Sequence, residues 1–303
     1  MDTDRSFKKS DLYARVTDHI IQAIEAGATD YVMPWHEQSG AGLPRNASTG
    51  NLYHGVNTVS LWTSASRHGY GVPYWATLRQ WGALGARVLR GEKASLVVFY
   101  KREEAPADTE TSESVGKRRG VLRASFVFNA LQVDGWSPPV PEKTDRTERL
   151  QAADDLIEAL GAEILYGSTR ACYSPTLDRI FMPGRPQFID GSTSTATEGF
   201  YSVLLHEHIH WSGYRTRLNR DLTGRFGDSA YAMEELVAEL GAAFLCAELG
   251  IEDHPRHDHA AYVASWLEVL RRQKSAIFTA ASTATAACRY LSEVASRVAQ
   301  SSL

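Results

Sequence analysis

Apolar residues recur at helical spacing near both ends of the chain and in short extended runs between them, and this pattern sets the predicted elements. Leu12, Val16, Ile20, Ile21 and Ile24 place one apolar stripe along Asp11–Ala26, a helix that Gly27 ends. Pro34-Trp35 opens a loop, and Leu43 to Gly50 is rich in turn residues. Helices are predicted over Thr58–Ser66 and Thr77–Leu84. After a turn at Gly91-Glu92-Lys93, strands are predicted over Ser95–Tyr100 and Arg123–Asn129. The polar stretch from Glu103 to Arg119 between them has no apolar period and reads as a hairpin loop or a disordered excursion. Its Lys117-Arg118-Arg119 cluster is a solvated tip or a contact for a phosphate backbone.

Gly135–Glu142 contains three prolines and reads as a linker. Domains are therefore expected over 1–135 and 146–303, with 136–145 between them; 303 residues exceed what one core usually organises. Beyond the linker a helix is predicted over Arg146–Leu160, a strand over Glu163–Tyr166, and two short strands joined by a turn within Tyr173–Pro183. An apolar run, Phe200–Leu205, leads into a helix, a second helix covers Tyr231–Leu249, and two more lie at Ala260–Arg272 and near 284–298. Long helices beside short strands make the expected class α+β, with a mixed α/β domain in front.

Composition narrows the function. Apolar content of 43% and charged content of 22% describe an ordinary soluble protein. No run is long enough to span a bilayer and the first residues lack a secretory signal's apolar core, so a cytoplasmic location and no membrane partner are expected. Cys172, Cys246 and Cys288 are far apart, in no metal-binding spacing, and read as small buried hydrophobes.

The chemistry concentrates at His206-Glu207-His208-Ile209-His210. On a helix the i and i+4 positions share a face, so His206 and His210 can offer two imidazole nitrogens to one ion while Glu207 projects beside them toward water. His208, at i+2, faces away and belongs to the core or behind the site. A catalytic zinc usually takes a third protein ligand, and Tyr231–Leu249 carries acids at 234, 235 and 239. Glu235 and Glu239 are i,i+4 neighbours, so one can bind metal while the other supports a ligand histidine. The pattern points to Zn²⁺, or Mn²⁺ in its place, with Glu207 as general base.

Charge is polarised. The chain carries a net −4, yet from Gly40 to Arg102 eight Lys or Arg stand against one acid, whereas from Pro141 onward 16 basic residues face 22 acidic ones. The basic stretch is interleaved with aromatic residues, which suits single-stranded nucleic acid: cations neutralise phosphates and exposed rings stack on unpaired bases. Trp35, Tyr53, Trp75 and Trp81, beside turn residues or cations, are the rings expected at the surface. Trp62 and Phe99 are expected to pack inward.

These residues carry a family resemblance. Pro34-Trp35, Leu43-Pro44-Arg45-Asn46, Tyr53-His54-Gly55-Val56-Asn57, Trp75-Ala76-Thr77-Leu78-Arg79-Gln80, Gly91-Glu92-Lys93 and Val127-Phe128-Asn129 resemble the ArdC-type single-stranded-DNA-binding domain. His206 to Gly213, Arg217-Leu218-Asn219-Arg220, Phe226-Gly227 and Glu234 to Glu239 resemble the zincin-like metallopeptidase domain that accompanies it. The resemblance implies Glu235 as third ligand, by likeness to Glu-type zincins, with Glu239 in reserve or behind the ligands. It adds Arg45, Asn46, Asn57, Gln80 and Lys93 to the rings as DNA contacts. In zincins an edge strand beside the metal pairs with extended substrate, and Tyr173–Pro183 could supply one or be an ordinary core hairpin. Tyr173 or another donor near the site would stabilise the oxyanion. The family's activity implies a plasmid-borne protein that binds the incoming strand during conjugation and blunts its restriction. Two other classes stay open: a DNA-directed metalloprotease acting on DNA-bound host proteins, and a replication or repair accessory with a vestigial metal site.

Overall fold

The computed structural model describes residues 9–27, 33–39, 41–102, 120–139, 145–190, 194–224, 228–252 and 259–301. The chain begins with helices α1 (Lys9–Gly27) and α2 (Pro34–Ser39), then strand β1 (Arg45–Asn46) and helix α3 (Val56–His68). Strand β2 (Tyr74–Thr77), helix α4 (Leu78–Ala83) and strands β3 (Arg87–Val88), β4 (Ser95–Arg102), β5 (Gly120–Asn129) and β6 (Val133–Asp134) follow. Four strands form a sheet in the order β1-β2-β5-β4, antiparallel except for the parallel β1–β2 pair, and β3 pairs with β6. The predicted strands at 95 and 123 are the long β4–β5 pair. The Glu103–Arg119 stretch with its Lys117-Arg118-Arg119 cluster lies outside the described residues.

The second part comprises helix α5 (Arg146–Leu160), strands β7 (Glu163–Tyr166), β8 (Cys172–Ser174) and β9 (Arg179–Met182), and helices α6 (Ala196–Ser212), α7 (Ser229–Leu249), α8 (His259–Arg272) and α9 (Ala276–Ser301). The three strands order as β7-β9-β8, with β8 at an edge. The architecture is α+β in two domains. Among the described residues no helix is long and apolar enough to cross a membrane.

Local sequence explains the helices that carry the site. Thr195 accepts from the Glu198 N–H while the Glu198 carboxylate accepts from the Thr195 N–H at 3.0 Å, a reciprocal cap that starts α6. Asp228 caps α7 by accepting from Tyr231 N–H at 2.7 Å, and Gly250 ends it in the left-handed conformation, φ 67°. Every residue of α7 from Glu235 to Ala247 is buried, so the helix is enclosed on all sides, between α6, α8 and α9.

Gly241 marks a close approach of α7 to α6. A Cβ at this position would stand 2.7 Å from the side chain of fully buried Ile209, the residue before His210. Ala stabilises a helix interior by up to ~1 kcal/mol over Gly, but the β-branched Ile209 cannot swing aside in a closed core. Gly241→Ala is expected to lower unfolding stability by about 1–3 kcal/mol in urea denaturation, an overpacking cost; an unchanged midpoint would show that α6 and α7 can separate freely.

The two domains share one hydrophobic cluster. Leu12, Val16, Ile20, Ile24, Trp35 and Trp62 pack together with Leu240, Phe244, Trp266 and Leu291, and the Trp62 ring lies 5.7 Å from Phe244. Several sequence expectations change here. Pro34-Trp35 opens helix α2 rather than a loop, because proline at a first helical position costs no hydrogen bond. Trp62 packs inward as expected, but Phe99 is exposed on β4. Cys246 and Cys288 are buried whereas Cys172 is exposed, since β8 is an edge strand.

Candidate metal centre and nucleic-acid face

Helix α6 turns His206 and His210 to one side, where their Nε2 atoms stand 3.2 Å apart. Helix α7 brings Glu235 to the same point, one carboxylate oxygen 3.6 Å from His206 Nε2 and the other 3.6 Å from His210 Nε2. An ion bound tetrahedrally at ~2.0–2.1 Å spaces its ligand atoms roughly 3.3 Å apart, so this triangle has the right size, and two imidazoles with one carboxylate are the right donors for a divalent ion. Glu207 is buried beside the triangle and lines a cleft of about 920 Å³ that also borders His206, His210, Glu235, Tyr231 and Tyr262.

His206 and His210 each have a carboxylate behind them. His210 Nδ1 lies 3.0 Å from Glu234 Oε1, which places the ring proton on Nδ1 and leaves the Nε2 lone pair facing the centre. Arg220 grips the same carboxylate with two bonds, 2.7 and 3.0 Å, and also donates to Ile209 O at the end of α6. Burial opposes ionisation of Glu234, yet His210 and Arg220 outweigh it and hold its carboxyl below the usual range. Burial likewise opposes charge on His210, while Glu235, Glu234 and Glu207 reverse the balance and raise its pKa. Behind His206 stands Glu239, its Oε2 3.9 Å from Nδ1. His208 is fully buried on the other side of α6, donating from Nδ1 to Leu204 O, and burial pushes its pKa down to about 4.

Tyr173 lines the cleft, but its hydroxyl donates to Asp178 at 2.7 Å and accepts from Arg217 at 3.2 Å, so it is held within the β8–β9 turn. The Tyr231 and Tyr262 hydroxyls, 3.2 Å apart, open onto the cleft beside Glu235. Burial, the Tyr262 hydrogen bond and the Glu235 charge raise the Tyr231 pKa, keeping it a proton donor. Sequence reading assigned no role to Arg220, Tyr231 or Tyr262. Arg220 ends the Arg217-Leu218-Asn219-Arg220 run, and only the folded chain shows it reaching back to α6.

On the front domain three of the anticipated DNA residues meet. Asn46 Nδ2 donates to the Tyr53 hydroxyl at 3.1 Å and to Gln80 Oε1 at 3.3 Å, beside exposed Arg45. Lys93 is exposed on the turn before β4. Others are corrected. Trp35, Trp75 and Trp81 were expected to present their rings to solvent, but they are 0–1% exposed. Trp75 sits among Leu61, Val97 and Val127, Trp81 donates its indole N–H to Phe128 O at 3.0 Å, and Trp35 lies in the interdomain core. Asn57 uses its amide on both Val98 backbone groups, 2.7 and 2.8 Å, fastening α3 to β4. Gln80 also accepts from the Thr77 N–H at 2.9 Å as part of the α4 cap.

Both parts of the chain match known families. Residues 10–128 match the N-terminal domain of anti-restriction factor ArdC, and residues 151–283 match a zincin-like metallopeptidase domain. A protein of Sinorhizobium fredii (strain NBRC 101917 / NGR234), y4eC, is 46% identical over 94% of this chain and 92% of its own length. Two Escherichia coli proteins named DNA primase TraC are 35% and 33% identical over 91% of this chain, which spans only 26% and 19% of their lengths. The crystal structure of antirestriction ArdC from plasmid R388 in metal-free form superposes with a TM-score of 0.73 at 37% identity, covering 95% of this chain and 98% of that one. Its Mn(II)-bound form gives 0.72 at 38% identity, over 94% and 98%. With a front domain, a metal-suited back domain and a full-length structural match all of one kind, the chain belongs to the ArdC family of antirestriction proteins.

Proposed function

We propose that this protein binds single-stranded DNA entering a cell by conjugation and protects it from host restriction, and that its zincin-like domain is a metallopeptidase using Zn²⁺ or Mn²⁺. The observation that carries the peptidase reading is the His206–His210–Glu235 triangle with Glu207 beside it in the wall of the cleft. The Mn(II)-bound ArdC neighbour supports the same ion chemistry. An ion held there supplies the Lewis acidity that polarises an amide carbonyl and acidifies water. Glu207 takes the water's proton on its carboxylate and later returns it to the leaving amine. Tyr231 donates a hydrogen bond toward the oxygen that gains charge. The edge strand β8 offers its free side to extended substrate backbone.

The nucleic-acid reading rests on the cationic front, with Arg45, Lys93 and the Asn46–Tyr53–Gln80 cluster as its contacts. In a gel shift of the full chain, oligonucleotide affinity is expected to fall steeply with salt, because each neutralised phosphate releases counterion. Arg45→Ala or Lys93→Ala should reduce the salt slope by about 1 each. A single strand should bind better than the matching duplex; equal affinity would overturn the preference for unpaired bases. Conjugation into a restricting recipient tests protection directly.

The cleft favours a second reading, a protease that the front domain delivers to DNA-bound host proteins. It differs in one outcome: protection would then depend on Glu207.

A further inference from the structure

We infer that Trp35 and His36, from the amino-terminal domain, are positioning residues for the metal centre, acting on His206 through Glu239. This inference rests on the metal-centre reading above. Both side chains come from the short helix α2, some two hundred residues before Glu239 in the chain, and both are buried.

The hydrogen bonds fix their roles. His36 Nδ1 accepts from the Met33 N–H at 3.0 Å, so in the neutral ring the proton sits on Nε2. That Nε2–H donates to Glu239 Oε1 at 2.6 Å. The Trp35 indole N–H, which can only donate, reaches the same oxygen at 3.1 Å. Two donors on one oxygen leave the carboxylate a single orientation, with Oε2 turned toward His206 Nδ1 at 3.9 Å. At that separation the contact is electrostatic rather than a formed hydrogen bond, so its strength depends on where the carboxylate is held. A negative oxygen facing Nδ1 favours the tautomer protonated there, which leaves the Nε2 lone pair toward His210 and Glu235.

The two histidines of the centre are supported from different parts of the chain. Glu234 behind His210 is gripped by Arg220, a residue of the same domain. Glu239 behind His206 is gripped from the other domain. The metal centre is therefore complete only when α2 is seated against α7, and the nucleic-acid domain is part of the site's support.

Full-chain wild type, Trp35→Phe, His36→Ala and His36→Gln test this by calorimetric titration with Mn²⁺, by the visible absorption of the Co²⁺-loaded protein, and by metal-free melting temperature. Trp35→Phe keeps an aromatic ring but loses the N–H together with the five-membered half of the indole, and is expected to weaken Mn²⁺ binding about tenfold; His36→Ala should weaken it about 10–100-fold, each with a shifted Co²⁺ band. His36→Gln, which can still donate an amide N–H, should recover part of the affinity. If α2 only packs, the variants will melt lower while Mn²⁺ affinity and the Co²⁺ spectrum stay as in wild type, and the inference is overturned. Should His36→Ala fail to fold, Trp35→Phe decides alone. Wild type that binds no Mn²⁺ would refute the metal centre and this inference with it; wild type that binds, with variants binding equally, refutes this inference only.

Discussion

In a peptidase assay with Mn²⁺ or Zn²⁺ present, Glu207→Gln is expected to cleave peptide about 10²–10⁴-fold more slowly than wild type, the usual contribution of a positioned general base. Glutamine keeps the shape and polarity of a side chain that is buried at the cleft wall, so α6 should hold its course and the ligand atoms of His206, His210 and Glu235 should keep their spacing. What the amide cannot do is accept a proton from water. Mn²⁺ affinity measured on the same variant should therefore change little, which separates lost chemistry from a lost site. Unchanged cleavage by Glu207→Gln would remove Glu207 from the mechanism. The variant also decides between the two readings in a conjugation assay. Protection that survives the substitution makes peptide cleavage dispensable for antirestriction, whereas protection that disappears favours the DNA-directed protease.

The parts legible in the sequence are those whose geometry is local. His206 and His210 are one helical turn apart, so their shared face follows from 3.6 residues per turn, and the strands at 95 and 123 showed themselves by short β-rich runs. The acids of α7 were visible as a group, but their division of labour was not. Glu234 meets Arg220 and the Nδ1 side of His210, Glu235 faces the Nε2 atoms of both imidazoles, and Glu239 is held by α2. Nothing in the spacing of α7 distinguishes these, because each partner arrives from elsewhere in the chain. Helix α2 was missed for a related reason: six residues are too few to show a period, and Pro34 looks like a loop signal until it is seen at a helix start. The aromatic residues were misplaced because tryptophan's environment is set by tertiary packing, not by neighbouring cations. Trp81 follows Arg79 and Gln80 in sequence, yet its ring lies under the sheet with Trp136, 5.1 Å away.

That burial changes what the tryptophans of the front domain should do when removed. Trp75→Ala and Trp81→Ala are each expected to cost about 3–5 kcal/mol of stability, the range for deleting a large aromatic from a closed core. An exposed ring stacked on one base would contribute only about 1–3 kcal/mol to binding and almost nothing to folding. For Trp81 the loss includes the hydrogen bond to Phe128 O, which ties α4 to β5. Set against a total of roughly 5–15 kcal/mol, either substitution consumes a large share, and melting should fall by on the order of 10 °C, at about 2–4 °C per kcal/mol for a chain of this scale. Trp81→Phe keeps most of the volume and should lie between wild type and alanine. Oligonucleotide binding by these variants, measured well below their melting temperatures, is then expected to approach wild type, since the proposed contacts at Arg45, Asn46, Tyr53 and Lys93 remain. Weakened binding with an unchanged melting curve would mean that an indole face reaches a base after all, which requires the sheet above it to open.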